Sequence, residues 1–486
     1  MKTKSTLIVG GGTSGLITGL ILKTAFPDMV VDIIESSKLG IVGVGEGSTE
    51  HWDSFCRFCN ISKKELIDET DATFKYGINF INWNGDGENF FHAVNGEYNQ
   101  TAENKIHYMY LHLISNGAKP NELLGSYIPK SMLRENNYGI NQFHFDTFKL
   151  NQFLHKKCNQ LGIKVFDEDV QSLSFDDQGF ITKVNVESGN SYEYDLYVDS
   201  TGFAKFMLHK SMNIKWNSYQ KYLPMNSAIA FPTGRTENID AWTIARSMTT
   251  GWLWRIPTQE RHGNGYVFND NFIDFDGAKE EVEQLYGHEV QVGKKIKFDA
   301  GCLEKFWHKN CVAIGLSAGF VEPLEASSIG TSIQQAFLLV DKLPLYVQGS
   351  NIAEDHYNKN TTDIFNNILD FISLHYRVKR KDTEFWKSMN DVPMSPGLEK
   401  LMEIYKYKTP TDNDFDNNRV LFKAANWIMV MHGLGLIDPT VAAKDLLYHP
   451  ELPRMTLHLR LPDFSDLKFI SHREAINNLK GKSKND

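Results

Sequence analysis

A short apolar run, Thr6-Leu-Ile-Val9, leads into Gly10-Gly-Gly-Thr-Ser-Gly15 and then into a helix-forming stretch from about Leu16 to Ala25. A second apolar run, Val30-Val-Asp-Ile-Ile34, follows and ends in Glu35. Glycines at this spacing between a buried strand and a helix constrain the chain more than any other feature. Gly10 permits a tight turn, Gly12 lets backbone approach a pyrophosphate, and Gly15 lets the helix sit on the strand. Thr13 and Ser14 open the helix, whose N-terminus faces the anion, and Glu35 is placed to take ribose hydroxyls. The segment predicts a strand-helix-strand unit that binds a dinucleotide.

Later segments decide which dinucleotide. No second G-x-G-x-x-G stands between a strand and a helix, so a separate nicotinamide-binding domain is not expected. Tyr192-Glu-Tyr-Asp-Leu-Tyr-Val-Asp199 alternates as a strand and runs into Ser200-Thr-Gly-Phe203. Asn310-Cys-Val-Ala-Ile-Gly315 reads as a buried strand ending in glycine, followed by Leu316-Ser-Ala-Gly-Phe320. Their order after the first glycine turn suits the remaining parts of a discontinuous FAD module. Between them, residues 139–162 predict a helix with its entry, and residues 164–186, which include Val170, predict alternating strands. Ile364, Ile368, Phe371, Ile372 and His375 recur at helix spacing, and the polar tail from Leu479 to Asp486 is expected to fray. The expected fold is α/β. Residues 1–350 form a discontinuous Rossmann-like FAD-binding module of the glutathione-reductase and hydroxybenzoate-hydroxylase kind. It carries an inserted β-sheet and substrate-facing segments at about 75–140 and 205–300, and residues 351–486 form a mainly helical substrate-covering region.

Composition excludes several classes. The 486 residues are 41% hydrophobic, enough for a large core, and no apolar run approaches the roughly 20 residues of a membrane span. Lys plus Arg is 51 against 60 for Asp plus Glu, a net charge of −9 that disfavours a phosphate-backbone partner. The basic run Arg377-Val-Lys-Arg-Lys381 reads as a solvated helix face. Five cysteines, an odd and sparse set, suit a reducing cytosol. Cys56 and Cys59 lack a second pair at zinc spacing, so no metal site is expected. Lys2 and Lys4 precede an apolar run too short for a signal peptide, which makes a cytoplasmic location the expectation.

Four further segments, taken in order with the glycine turn, resemble the flavin-dependent halogenases, a family best known for halogenating tryptophan. Ile41-Val-Gly-Val-Gly-Glu-Gly-Ser48 is similar to the family's glycine-rich flavin strap. Ala72-Thr-Phe-Lys-Tyr-Gly-Ile78 carries the lysine, Gly251-Trp-Leu-Trp-Arg-Ile-Pro257 matches W-x-W-x-I-P, and Phe320-Val-Glu-Pro-Leu-Glu-Ala-Ser-Ser-Ile329 resembles the segment with the active-site glutamate. His144-Phe-Asp146, Tyr266-Val-Phe268 and His375-Tyr376 are weaker echoes. The resemblance implies FAD, used as FADH2 from a separate flavin reductase, with dioxygen and a halide co-substrate giving hypohalous acid. It implies flavin contacts at Gly10, Gly12, Thr13, Ser14, Gly15, Glu35, Ile41, Val44, Gly45, Glu46, Val170, Leu316 and Ile329. Lys75 and Glu325 would be catalytic, Ser327 and Ser328 would hold halide, and His92, Trp252 and Trp254 would line the substrate region. A homodimer is compatible with it.

The residues themselves fit this assignment and also show departures. Alternation in Phe74-Lys-Tyr-Gly-Ile-Asn-Phe80 puts Lys75, Gly77 and Asn79 on the face opposite the aromatic residues, where an ammonium can hydrogen-bond a hypohalous acid or be halogenated. Glu325 sits in an apolar stretch where a carboxylate is costly to bury, and can orient the halogenating agent and stabilise a cationic intermediate. Ser327 starts a helix marked by Ile329, Ile333, Phe337 and Val340, whose first amides favour an anion. The family's Ser-Thr-Gly after the glutamate is here Ala326-Ser327-Ser328, and losing that glycine is expected to alter the halide pocket toward larger halides. In Asn89-Phe-Phe-His-Ala-Val94, Ala93-Val94 replaces a proline and an aromatic residue, which points away from free tryptophan toward another indole, phenol or electron-rich aromatic. An aromatic hydroxylase and a catalytically silent FAD-binding protein are rival readings of the same fold.

Overall fold

The structure, a computed structural model, describes residues 4–40, 43, 45–93, 105–120, 132–134, 142–448 and 468–481. Ile41, Val44, Val94, the helix entry near Gly139 and the tail 482–486 lie outside the described residues.

Ser5–Val9 forms the centre of a six-stranded sheet, between Val30–Glu35 on one side and Leu196–Asp199 on the other. Both pairings are parallel, with Leu7 opposite Asp32 and Tyr197. Lys164–Asp167 extends the sheet past Val30–Glu35, and Cys311–Ala313 extends it past Leu196–Asp199. A parallel strand covered on both faces is apolar along its length, which is why Leu7, Ile8 and Val9 are all buried. The same rule corrects the expectation for Tyr192–Asp199. That stretch is interrupted at residues 193–195, and Leu196–Asp199 is buried at every position rather than alternating. Helix Thr13–Ala25 starts earlier than Leu16 and packs against helices Thr147–Gln160 and Ser327–Val347. Ile181, Val184 and Val186 are the buried positions of the strand Ile181–Val186.

A seven-stranded sheet is inserted into this module, ordered Lys294–Lys297, Ser227–Gly234, Arg261–Phe268, Gly251–Pro257, Trp242–Met248, Gly77–Ile81 and Asn89–Ala93. Its pairings are antiparallel except that Gly77–Ile81 runs parallel to Trp242–Met248. Phe74–Phe80 is therefore not one alternating strand. Thr73–Phe74 belongs to a small sheet with Phe143–Phe145 and Glu46–Gly47, and the chain changes sheets at Lys75 and Tyr76. That change of sheet places Lys75 between the inserted sheet and the loop from the glycine-rich module.

Residues beyond 350 are mainly helical. Ile352–His375 lies along Ser327–Val347, Ala424–Gly433 covers Asn89–Ala93, and His472–Gly481 packs on Lys63–Glu69. The basic run after this first helix is not a solvated helix face. It is non-helical, with Val378 buried and Arg380 reaching inward to the carbonyls of Asn82 and Trp83 and to the Asp382 carboxylate.

Candidate functional site

The glycine turn opens onto a cleft of about 850 Å³. Gly10, Gly12, Thr13, Ser14, Glu35, Glu46, Val170, Leu316 and Ile329 line it, so residues spread from 10 to 329 in the sequence converge on one space. The glycines differ in what they do. Gly10 has φ +120°, and a Cβ there would collide with the Ser200 carbonyl. A Cβ on Gly15 would strike the Gly10 carbonyl, whereas one on Gly12 would meet nothing within 4 Å. Gly12 thus presents bare backbone to the cleft at a helix start that no side chain caps. Gly15 and Gly45 stand outside the lining, and the Gly45 amide donates to Thr147 Oγ1 at 3.1 Å.

Two unsatisfied groups at the cleft fit a polar cofactor. Ser14 Oγ and Glu46 Oε2 are buried without a hydrogen-bond partner among the described residues. Burial pushes the Glu46 carboxyl up to about 7, partly opposed by a hydrogen bond with Thr13. Sequence reasoning missed the contribution of Thr147–Gln160. Its His155 Nε2 lies 3.1 Å from Glu35 Oε2, and Asn151 Nδ2 donates to the Gly11 carbonyl at 3.0 Å. Gly11 has a purpose of its own, since a Cβ there would overlap the Glu35 carboxylate. The i, i+4 spacing of Asn151 and His155 puts them on one helix face, but nothing in the sequence ties that face to the glycine turn.

Two segments run from this cleft into the protein interior. One is 46–48, with Glu46 at the cleft and Gly47 against Lys75. A Cβ on Gly47 would lie 3.2 Å from Lys75 Nζ and 3.5 Å from the Ala326 Cβ. The other is 325–329, with Ile329 at the cleft and Glu325 at the buried end. Lys75 is fully buried and donates from Nζ to the Ser48 carbonyl at 2.9 Å. Burial lowers its amine to about 8, and the charges of Glu325 and Glu50 limit the drop.

Glu325 is held by two histidines. His92 Nδ1 lies 3.0 and 2.9 Å from its two carboxylate oxygens, and His375 Nε2 lies 2.8 Å from Oε1. Burial works to raise the Glu325 pKa, yet the two imidazoles reverse it and hold the carboxyl below the usual carboxylate range. His92 is thus in hydrogen-bond contact with the glutamate, while its ring stands 5.6 Å from that of Phe371. His375 is the residue at the end of helix Ile352–His375 that completes this grip, and its neighbour Tyr376 donates to Glu322 Oε2 at 2.5 Å. Trp252 Nε1 donates to the same oxygen at 3.2 Å. Burial raises the Glu322 carboxyl to about 7 against these two hydrogen bonds.

Trp254 has its ring centroid 6.0 Å from that of Trp252 and fills the space left by Gly265, its partner across the strand pair. Both tryptophans are buried. Ser327 and Ser328 line a second, much smaller cavity of about 10 Å³ together with Gly315, Gly319 and Thr331. Ser328 also borders the large cleft. Ser328 lies in the first turn of helix Ser327–Val347, where no glycine is needed. The left-handed residue of this turn is Ala326, at φ 52° and ψ 38°.

A sequence profile described as tryptophan halogenase matches residues 5–446. This chain belongs to the tryptophan halogenase family. Among its relatives, a 7-chloro-L-tryptophan 6-halogenase of Kutzneria is 29% identical over 440 residues, covering 83% of this chain and 85% of the relative. A tryptophan 6-halogenase of Streptomyces toxytricini is 29% identical over 480 residues, covering 90% and 91%. The solved structure of a flavin-dependent halogenase from Xanthomonas campestris superposes with a TM-score of 0.83 at 25% identity, covering 99% of each chain. The match to this halogenase spans the glycine-rich module, the inserted sheet and the helical region alike. Among the described residues, no helix is long and apolar enough to cross a membrane.

Proposed function

We propose that this protein is a flavin-dependent halogenase acting on an electron-rich aromatic of indole or phenol type other than free tryptophan. The observation that carries the reading is the pair of wall segments, 46–48 and 325–329, that link the cleft to buried Lys75 and Glu325. FAD suits the cleft: bare backbone at Gly12 and the unpaired Ser14 hydroxyl would hold its phosphate groups, and the Glu35 carboxylate would take ribose hydroxyls. Bound there in reduced form, it would supply the two electrons that bring dioxygen to the peroxide level, at which it can oxidise halide to hypohalous acid. A separate flavin reductase provides those electrons, in keeping with the single glycine turn in the sequence.

The remaining steps belong to the chain's own residues. Ser327 and Ser328, at a helix start without a side-chain cap, hold the halide. Buried walls keep bulk water from the reactive halogen. The Lys75 ammonium hydrogen-bonds the oxygen of hypohalous acid, and Glu325 faces the positive charge that develops on the ring. Trp252, hydrogen-bonded to the turn that carries Glu325, and Trp254 beside it are read as lining the substrate region. Ala326-Ser327-Ser328 in place of the family's Ser-Thr-Gly supports a preference for bromide or iodide, and Ala93-Val94 in place of a proline and an aromatic residue supports a substrate other than free tryptophan. A homodimer in the cytoplasm completes the reading.

The test is a panel of indoles and phenols supplied with flavin reductase, FAD, NADH and each of chloride, bromide and iodide. Halogenated products that require added halide are expected. An oxygenated product independent of halide identifies a hydroxylase, and neither product together with bound flavin identifies a silent binding protein.

A further inference from the structure

Hydrogen-bond partners fix where the protons lie around Glu325. Asn426 Oδ1 accepts from the Lys423 amide at 2.9 Å, so its amide nitrogen is the atom facing His92 Nε2 at 3.0 Å. That nitrogen can only donate, which leaves His92 Nε2 bare and puts its proton on Nδ1, directed at Glu325. His375 differs. Its Nδ1 lies 2.7 Å from the Phe371 carbonyl, an acceptor, so Nδ1 carries a proton. Its Nε2 nonetheless lies 2.8 Å from Glu325 Oε1. A bare nitrogen facing an ionised carboxylate at that distance would oppose two lone pairs in a fully buried site, so a further proton lies between them.

We propose that Glu325 and His375 share one ionisable proton in the resting protein, and that this proton is the one delivered to the hydroxide released during halogen transfer. The proposal rests on the halogenase reading for its chemistry, and on hydrogen-bond geometry alone for the proton. His375 acts through Glu325 and is a positioning residue. The other titratable groups around the pair are Lys75 from the segment between the two sheets, His92 from strand Asn89–Ala93, Glu322 from the same turn, and Tyr376 beyond the helix end. The rings of Phe80, Trp83 and Phe371 close off the rest of the imidazole.

The step balances as one aromatic C–H plus hypohalous acid giving one carbon–halogen bond plus water. The ring's π electrons form the new bond to halogen while the halogen–oxygen bond breaks, so the ring is oxidised by two electrons and the halogen is reduced. The departing hydroxide takes the shared proton and leaves as water. The ring proton then passes to Glu325, and the pair returns to its starting state. The pair takes up and gives back one proton, so the halogen-transfer step itself is proton-neutral.

Nitrogen-15 NMR of the full-length, flavin-loaded protein with labelled histidine, together with carbon-13 labelled glutamate carboxyls, tests the shared proton at neutral pH. The expected result is a His375 Nε2 that bears a proton, or a protonated Glu325 carboxyl, beside a His92 Nε2 that is bare. The His375→Gln variant, whose amide still donates to Glu325, assigns the signal by its loss. A bare His375 Nε2 together with an ionised Glu325 overturns the proposal. In the same variant, the ratio of halogenated aromatic to hypohalous acid trapped by monochlorodimedone is expected to fall about 100-fold, carried by kcat with KM unmoved. An unchanged ratio overturns the role in halogen transfer. Failure of the wild-type protein to yield trappable hypohalous acid overturns the halogenase reading instead, and leaves the NMR result to decide the shared proton.

Discussion

Trp252 and Glu322 are hydrogen-bonded inside the protein, Nε1 to Oε2 at 3.2 Å, and Tyr376 shares the same oxygen. A tryptophan of the W-x-W-x-I-P signature therefore anchors a carboxyl three residues from Glu325. Two successive residues at the end of one helix, His375 and Tyr376, grip the two glutamates of a single turn. The turn that presents Glu325 is fixed from both the inserted sheet and the helical region.

The Glu322 carboxyl makes stability depend on pH. Burial raises it from 4.5 to about 7 in the folded protein. Its contribution is fully present below the unfolded value near 4.5 and is lost as pH rises through about 7. Glu322→Gln keeps an acceptor for Trp252 and Tyr376 but carries no charge. Denaturant unfolding is expected to show the variant more stable than wild type above pH 7, by up to about 3 kcal/mol, with the difference vanishing at acidic pH. A variant that loses stability equally at both pH values would show that the titration of Glu322 is not linked to folding.

Lys75 couples activity and stability in opposite senses. Its amine, lowered by burial from 10.5 to about 8, loses its charge as pH rises through about 8. Halogenation is expected to decline over that range. Burying the charge costs stability below about 8, and the cost fades as pH rises toward 10.5. Lys75→Met is expected to abolish aromatic halogenation while flavin oxidation continues, and to melt no lower than wild type at neutral pH. Product analysis and a thermal melt check both halves, and retained halogenation would overturn the role assigned to the amine.

Gly47 marks how closely the strap approaches the lysine. A Cβ there would lie 3.2 Å from Lys75 Nζ, the end of a flexible side chain that can swing aside. Gly47→Ala is expected to fold and bind flavin but to lose halogenation at least about 10-fold, because a displacement of order 1 Å at a reacting group is enough. Ala326→Gly acts on the other wall. Relief of its left-handed backbone at φ 52° is expected to raise stability by about 1 kcal/mol, read from the unfolding midpoint.

The glycine turn separates folding from binding. Gly15→Ala drives a methyl into the Gly10 carbonyl and is expected to give little folded protein. Gly12→Ala places its methyl in the open cleft, so the variant is expected to fold with native circular dichroism and weakened flavin binding, measured by fluorescence titration. Equal behaviour of the two variants would contradict the separate tasks of the two glycines.

The local chemistry was legible in the sequence wherever neighbouring residues supply it. The positive φ of Gly10, the approach of Gly15 to the Gly10 carbonyl, and the helix starts at Thr13 and Ser327 all depend on residues within a short stretch of chain. Period and turn chemistry encode such contacts directly. They could not encode the switch of sheets at Lys75, because Thr73–Phe74 and Gly77–Ile81 each pair with strands far away in the chain. For the same reason the alternation in Tyr192–Asp199 misled, since burial on both faces comes from elements packed later.

The motif order fixed the family and the candidate residues Lys75, Glu325, Trp252 and Trp254 without any coordinates. Only the tertiary structure decided what those residues touch. His92 and His375 stand 233 and 50 residues from Glu325 in sequence, and Asn426, which sets the His92 tautomer, lies 334 residues from His92. Residue types announce which protons a site could hold, but a proton's position depends on distances between groups that only folding brings together.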